Sequence, residues 1–308
     1  MIDVEFRDIA KTYNPGLFKK KVLAVSGLNL SIPRGEVFGL IGPNGAGKST
    51  TIRMLLGLIR PSQGAILFQG QPLHVMNLQR QVGYLPENPY LYDHLTLHEL
   101  LAFCGATSGM SGRQSESRRN ELLERLDLVA AGKRPLRTFS KGMLQRAGIC
   151  FALMHDPAMV ILDEPMSGLD PLGRKMVFDL ITELKGRGKT IFFCSHILSD
   201  VERLCDRIGI MVGGRLVDEL ESSAFAKEMK TTISLELADC PEELFKQLMP
   251  LVDRVVPDGD HHVIIFAVDS LAPVVQKVKE QGVEILGCRS DQSSLESHFL
   301  RVVEGGRS

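Results

Sequence analysis

The chain has 308 residues, 44% of them hydrophobic and 24% charged, with a formal net charge of −1. This composition belongs to a globular protein with room for one large domain and a smaller one, and its near-neutral charge argues against binding nucleic acid through bulk electrostatics. No apolar run approaches the ~20 residues needed to cross a bilayer, and the N-terminus lacks the basic and apolar stretches of a secretory leader, so a cytoplasmic chain is expected.

Residues 2–41 read as strands and turns: Val4–Phe6, Val22–Val25, Leu28–Ile32 and Val37–Ile41. Lys19, Lys20 and Lys21 form a basic run between two of these strands and read as a solvated hairpin tip. Val37–Ile41 leads into Gly42-Pro43-Asn44-Gly45-Ala46-Gly47-Lys48-Ser49-Thr50, which fits G-x-x-x-x-G-K-[ST], a phosphate-binding loop. Thr51–Leu56 follows with the spacing of an amphipathic helix. Strand, glycine loop and helix are what the chemistry needs. Gly42, Gly45 and Gly47 let backbone N–H groups approach phosphate oxygens, and the helix aims its positive end at the anion. Lys48 supplies a point charge to the β- and γ-phosphates, and Ser49 a hydroxyl for Mg²⁺.

Ile66–Phe68 and Val82–Leu85 are two further short strands. From about 96 to 155 the pattern turns helical. Thr96-Leu97-His98-Glu99 is a capping box that opens a helix. Gly105–Ser117, rich in Gly and Ser, reads as a loop, and Asn120–Val129 carries leucines at helical spacing. Phe139-Ser140-Lys141-Gly142-Met143 precedes a helix over Leu144–Met154. Ser140 reads either as an ordinary N-cap or, with the Gly142 N–H, as a second anion site. Met159–Leu162 is an apolar strand ending in Asp163-Glu164. Asp163 is placed to hold Mg²⁺ and Glu164 to polarise the attacking water. A helix near 172–186 and a strand over Thr190–Cys194 continue the alternation, which implies a mostly parallel sheet with helices packed on it.

The composition changes after about residue 220. Strands over Thr231–Leu237, Val255–Val256, His262–Ala267 and Val283–Leu286 alternate with helices over Pro241–Leu251 and Ala272–Gln281, and Ser294–Val303 closes as a helix. The order βαββαβ plus a final helix suggests a small α+β domain of ferredoxin-like type. His261 and His262 flank its turn and read as exposed. His94 and His98 are four apart, but His94 precedes the Thr96 cap and no acid or cysteine at ligand spacing completes a metal site. The cysteines at 104, 150, 194, 205, 240 and 288 are scattered, with no C-x-x-C pair, and read as reduced and mostly buried.

Taken together, these motifs resemble the ATP-binding cassette family, the ATPase subunits of ABC transporters. The resemblance covers roughly residues 2–218. Gly42–Thr50 is similar to Walker A and Val160–Glu164 to Walker B. Phe139–Met143 resembles the family signature, with Lys141 where a glycine is usual. Ser167-Gly168-Leu169-Asp170 matches the D-loop, and His196 the switch histidine. Tyr13 sits where the family stacks an aromatic on adenine. Tyr84-Leu85-Pro86-Glu87 corresponds to the loop that normally ends in glutamine. Glu87 can ligate Mg²⁺ or hold water through its carboxylate, but it adds negative charge beside the metal. Tyr84–Asn88 with Phe139–Met143 looks like the ATPases of ABC-2-type exporters.

The resemblance implies a P-loop NTPase of the ABC type over residues 1–222: an antiparallel β subdomain, a mostly parallel core sheet and a helical subdomain at about 88–156. The small C-terminal domain follows at 228–305. Two copies are expected to pack head to tail as a homodimer. ATP on Lys48, Ser49 and Asp163 of one copy is capped by Ser140 and Gly142 of the other, with Asp170 and His196 near the join. Catalysis falls to Glu164 and His196. Mg²⁺ falls to Ser49, Glu87 and Asp163. Nucleotide binding falls to Tyr13, Gly42, Asn44, Gly45, Gly47, Lys48, Ser49, Thr50, Ser140, Gly142 and Asp170. The partner is an integral membrane permease, which residues 88–103 would face, and no nucleic acid is involved. The ATPase would then sit on the inner face of the cell membrane. A soluble mechanical ATPase of the same superfamily, acting on ribosomes or DNA, is the competing reading. One cassette in the chain and the lack of sustained heptads between the phosphate loop and Asp163 weigh against it. A P-loop kinase would leave the Ser140–Met143 and Ser167–Asp170 matches unexplained.

Overall fold

The structure is a computed structural model that describes residues 1–14, 21–73, 78, 80–224, 231–238, 240–258, 261–292 and 295–305. The chain divides into two compact units, one of Met1–Ser222 with Val302–Ser308 and one of Ser223–Arg301.

The first unit opens with an antiparallel sheet in the order β2-β1-β4-β5, built from β1 (Ile2–Tyr13), β2 (Val22–Pro33), β4 (Gln63–Phe68) and β5 (Gln71–Pro72). The stretches expected as separate strands over 22–25 and 28–32 are one strand. Gly27, at φ +62, opposes the bend at Asp8, and the register shifts between Phe6 and Ile9. A bulge absorbs the glycine that reads as a turn in sequence. Lys19 and Lys20 of the expected hairpin tip lie outside the described residues, and Lys21 is exposed.

The second sheet has the order β10-β9-β3-β8-β7-β6. Its strands are β3 (Val37–Ile41), β6 (Val82–Leu85), β7 (Met159–Asp163), β8 (Thr190–Cys194), β9 (Arg207–Val212) and β10 (Arg215–Glu221). Every pair from β9 to β6 is parallel, and only β10 runs antiparallel. β3 and β8 are buried at every position, as strands covered on both faces are. One apolar cluster joins Val4, Phe6 and Ile32 of the first sheet to Phe38, Phe192 and Ile52, the last from α1 (Lys48–Leu55). The phosphate loop and its helix are thus clamped between two sheets.

The helical part comprises α2 (Leu97–Thr107), α3 (Gly112–Arg125) and α4 (Lys141–Leu153). Thr96 and Glu99 form the expected capping box on α2. Residues 105–117 are not one loop. α2 continues to Thr107, Gly109 turns the chain at φ +79, and α3 starts at Gly112 behind a second capping box of Ser111 and Gln114. The Gly and Ser content there encodes helix ends, which use the same residues as loops do. α4 packs hard on β6: a Cβ at Gly83 would lie 2.2 Å from the Ala152 carbonyl oxygen. α5 (Pro171–Gly186) and α6 (Leu198–Leu204) follow β7 and β8, and the Arg174–Asp200 ion pair at 2.8 Å ties them together.

The second unit contains β11 (Thr231–Ala238), α7 (Glu242–Leu248), β12 (Arg254–Asp258), β13 (His261–Ala267), α8 (Leu271–Glu280), β14 (Ile285–Gln292) and, as far as Arg301, α9 (Leu295–Gly305). Its sheet is antiparallel throughout, in the order β12-β13-β11-β14. Ile233, Leu235 and Leu237 alternate inward on β11 and meet Leu244 of α7 with Val274 and Val278 of α8, a period of two against a period of four. His261 and His262 are not exposed. Both are half-buried at the start of β13, and the His262 ring lies edge-on to Phe245 at 4.8 Å. The described cysteines are all free thiols, four of them buried. No helix among the described residues is long and apolar enough to cross a membrane.

Candidate active site

The parallel register brings the ends of β3, β6, β7 and β8 to one edge of the sheet: Leu40 pairs with Cys194, Asp163 with Cys194, and Leu85 with Leu162. The segments carrying the expected phosphate loop, Glu87, Asp163-Glu164 and His196 all leave the sheet there. This is the carboxyl edge at which open α/β sheets bind ligands.

At the end of β3 the loop wraps tightly. Gly47, the N-cap of α1, has φ +110, and a Cβ on it would sit 2.5 Å from the Ala24 carbonyl oxygen. Only glycine fits both constraints. The Lys48 ammonium donates to the carbonyl oxygens of Gly42 at 2.6 Å and Pro43 at 3.2 Å, so it lies over the loop. A cavity of about 170 Å³ is lined by Ala24 and the stretch Asn44–Thr50. On Gly45, at φ +80, nothing lies within 4 Å of the place a Cβ would take. The first turn of α1 carries no acid. Free first-turn N–H groups, a fixed ammonium and the helix dipole suit a polyphosphate.

Glu164 sits just past β7 with φ +51, a left-handed conformation that costs a non-glycine residue about 1–3 kcal/mol. Its N–H donates to the Cys194 carbonyl at 2.8 Å, and its carbonyl accepts from Ser167 N at 3.1 Å and Gln145 Nε2 at 2.9 Å. The carboxylate is held as well. Ser195 Oγ donates to Glu164 Oε2 at 3.2 Å, and His196 Nδ1 lies 2.8 Å from the same oxygen. A carboxylate is acceptor-only, so this contact sets the His196 tautomer with its proton on Nδ1. The Glu164 side chain is 12% exposed and that of His196 69%. The pair thus has a fixed base on the protein side and an open ring on the other.

Burial pushes the Asp163 carboxyl up to about 6. The charges of Glu164 and Glu87 add to this, and Lys48 and Arg53 oppose it. Four charged groups therefore surround one carboxyl, three acids against two bases when Asp163 is counted. Nearby, burial and the Asp163 charge push the Tyr84 phenol up to about 12. Arg53 from α1, Tyr84 from β6, Ser195 and Gln145 were not expected at this edge. Arg53 and Tyr84 look like surface and core positions of their elements. Gln145 does leave a trace, a lone polar residue on the apolar side of a helix.

Ser140, Gly142 and Asp170 form a second group. Ser140 Oγ accepts from Met143 N at 3.2 Å as the N-cap of α4, and Asp170 Oδ1 accepts from Gly173 N at 2.9 Å as the N-cap of α5. A Cβ on Gly142 would lie 3.2 Å from the Gly168 carbonyl oxygen, and one on Gly168 2.9 Å from the Lys141 stem. The signature-like and D-loop-like segments are therefore neighbours. Their hydrogen bonds are local caps and do not reach the phosphate loop. Tyr13 ends β1 opposite Val22, half-exposed, with Lys11 Nζ 5.4 Å from its ring centre.

Comparison with known proteins agrees with this geometry. The family model described as "ABC transporter" matches residues 25–167. An uncharacterized ABC transporter ATP-binding protein of Nostoc sp. is 50% identical over 96% of this chain and 88% of its own length. The bacitracin transport ATP-binding protein BcrA of Bacillus licheniformis is 35% identical over 92% of this chain and 93% of its own. A solved dimeric ATP-binding cassette in a post-hydrolysis state, bound to ADP and phosphate, is 25% identical with a TM-score of 0.66, covering 71% of this chain and 98% of that one. Ribosome- or DNA-acting ATPases are not what these relatives are. The chain belongs to the ATP-binding cassette family, as an ATP-binding and ATP-hydrolysing subunit of an ABC transporter.

Proposed function

We propose that the chain works as a homodimer that closes on ATP, hydrolyses it at two composite sites and drives export through a separate membrane permease. The observation that carries the catalytic part is the Glu164 carboxylate, held by Ser195 and His196 beside Asp163. In this reading Glu164 takes the proton of the attacking water. His196 keeps the carboxylate aimed and presents its exposed side to the γ-phosphate. Lys48 neutralises the β- and γ-phosphates, and the glycine loop with Asn44 and Thr50 cradles them. Ser49, Asp163 and Glu87 have the oxygen donors that suit Mg²⁺, which when bound would offset phosphate charge. Two carboxylates and a hydroxyl leave room for phosphate oxygens in its shell.

Tyr13 stacks on the base. Ser140, Gly142 and Asp170 belong to the site of the second copy, which accounts for their lying apart from the phosphate loop of their own chain. The working units are a nucleotide-binding domain over 1–222, with its helical subdomain at 88–156, and a C-terminal domain over 228–305 that steadies the dimer. BcrA is named for bacitracin transport, which supports an exporter role. The permease would hold the ATPase on the inner face of the membrane and meet it through residues 88–103. Two aromatic side chains there, Tyr90 and Tyr92, are exposed at 96% and 59%. Such rings suit a protein contact.

The test is Glu164→Gln. It keeps the shape and the hydrogen-bonding oxygen but removes the base. ATP binding by calorimetry should persist while turnover falls by about 10²-fold or more. Near wild-type turnover would remove Glu164 from the role of base.

A further inference from the structure

Gln145 is a buried polar residue of α4, 2% exposed. It lies five residues beyond Ser140, about 7.5 Å along the helix axis. Its buried companions on the helix are apolar, among them Ile149 and Cys150. A side-chain amide in such surroundings is costly unless its groups are hydrogen-bonded. Its Nε2 donates to the carbonyl oxygen of Glu164 at 2.9 Å. That carbonyl belongs to a residue in the left-handed region at φ +51. The remaining backbone bonds of Glu164 come from Ser167, in its own turn, and from Cys194 on β8. The bond from Gln145 comes from α4, the helix whose N-terminus carries Ser140 and Gly142.

We propose that Gln145 is a positioning residue for Glu164: its amide holds the Glu164 peptide, and with it the direction of the carboxylate, in step with α4. The proposal rests on Glu164 being the base. A displacement of α4 along or away from β7 strains this bond before any other contact to Glu164. Nucleotide pressed against Ser140 and Gly142 therefore acts on the chain's own hydrolytic site as well as on the site it completes. A single side chain links the two half-sites of one protomer, through a helix that moves as a rigid rod over that distance.

Gln145→Met tests this, because it keeps length and volume and removes the N–H donor. In steady-state ATPase assays of the full chain, kcat should fall about tenfold or more while the KM for ATP stays within about twofold. In a Glu164→Gln background the same substitution should lower residual turnover no further, because both changes act through one carboxylate. Gln145→Leu, which also lacks the donor and buries no charge, gives the same readout should the methionine variant fail to fold. Unchanged kcat in a stable variant would overturn the proposal. So would a loss that follows ATP affinity or thermal stability, or an equal loss in the Glu164→Gln background. Full turnover by Glu164→Gln alone would overturn the base assignment and this proposal with it. Normal turnover by Gln145→Met, beside an inactive Glu164→Gln, would overturn this proposal only.

Discussion

Lys48 holds its ammonium over the carbonyl oxygens of Gly42 and Pro43, so the loop carries a fixed positive charge where the proposed site would take the phosphates. Lys48→Ala removes that charge and should weaken ATP binding at least about tenfold, since an ion-assisted hydrogen bond contributes about 1.5–3 kcal/mol. Calorimetry with ATP checks this, and unchanged affinity would count against the loop as the binding element. Glu87 adds its charge to the group around Asp163. Glu87→Gln keeps an oxygen donor and removes the charge. The Mg²⁺ concentration giving half-maximal ATPase should rise several-fold, with the rate at saturating Mg²⁺ retained, because a neutral oxygen is a weaker ligand for a hard cation. A Mg²⁺ titration curve identical to the wild type would exclude Glu87 as a ligand. Lys48, Ser49, Asp163 and Glu164 are legible in sequence because their chemistry demands a fixed spacing on one strand and one loop. Ser195 is not, and Gln145 shows only as a lone polar residue on an apolar helix face, because their role comes from touching a residue 31 and 19 positions away. No local pattern encodes that contact.

α3 shows how an element escapes sequence reading. Its first half, Gly112–Arg119, is polar and charged, with no apolar period to mark it. Its buried residues are Ser115 and, later, Leu122 and Leu123, so the apolar ones come only in the second half. What starts the helix is the reciprocal pair of Ser111 and Gln114, in which each side chain satisfies a backbone N–H of the other. Ser111→Ala should therefore cost about 1 kcal/mol of stability. Thermal or urea unfolding checks this, and kcat should stay at the wild-type value, because α3 lies away from the catalytic edge. A loss of ATPase without a loss of stability would contradict that separation. The strands are legible for the opposite reason. β3 and β8 are continuous apolar runs bounded by polar loops, which is what burial on both faces requires. Gly27 misleads in the other direction, since a bulge inside a strand uses the same glycine as a turn between strands.

At the scale of the whole molecule, the first unit holds every residue assigned to ATP, and the second holds a separate apolar core of its own. The change of composition near residue 220 makes a boundary there readable, whereas the role of the second unit leaves no motif. Truncation after Ser222 should leave ATP binding intact but raise the protein concentration needed for dimerisation and turnover. Sedimentation and ATPase assays over a concentration series check this. A changed rate per dimer at saturating protein would instead assign the second unit to regulation. In the proposed cycle ATP closes two copies around composite sites and hydrolysis at Glu164 reopens them. Sedimentation velocity of the 308-residue chain carrying Glu164→Gln, with and without ATP at one protein concentration, checks that cycle. The expected result is monomer without nucleotide and stable dimer with ATP, while the wild-type protein returns to monomer as ATP is consumed. A Glu164→Gln chain that binds ATP and stays monomeric would contradict it.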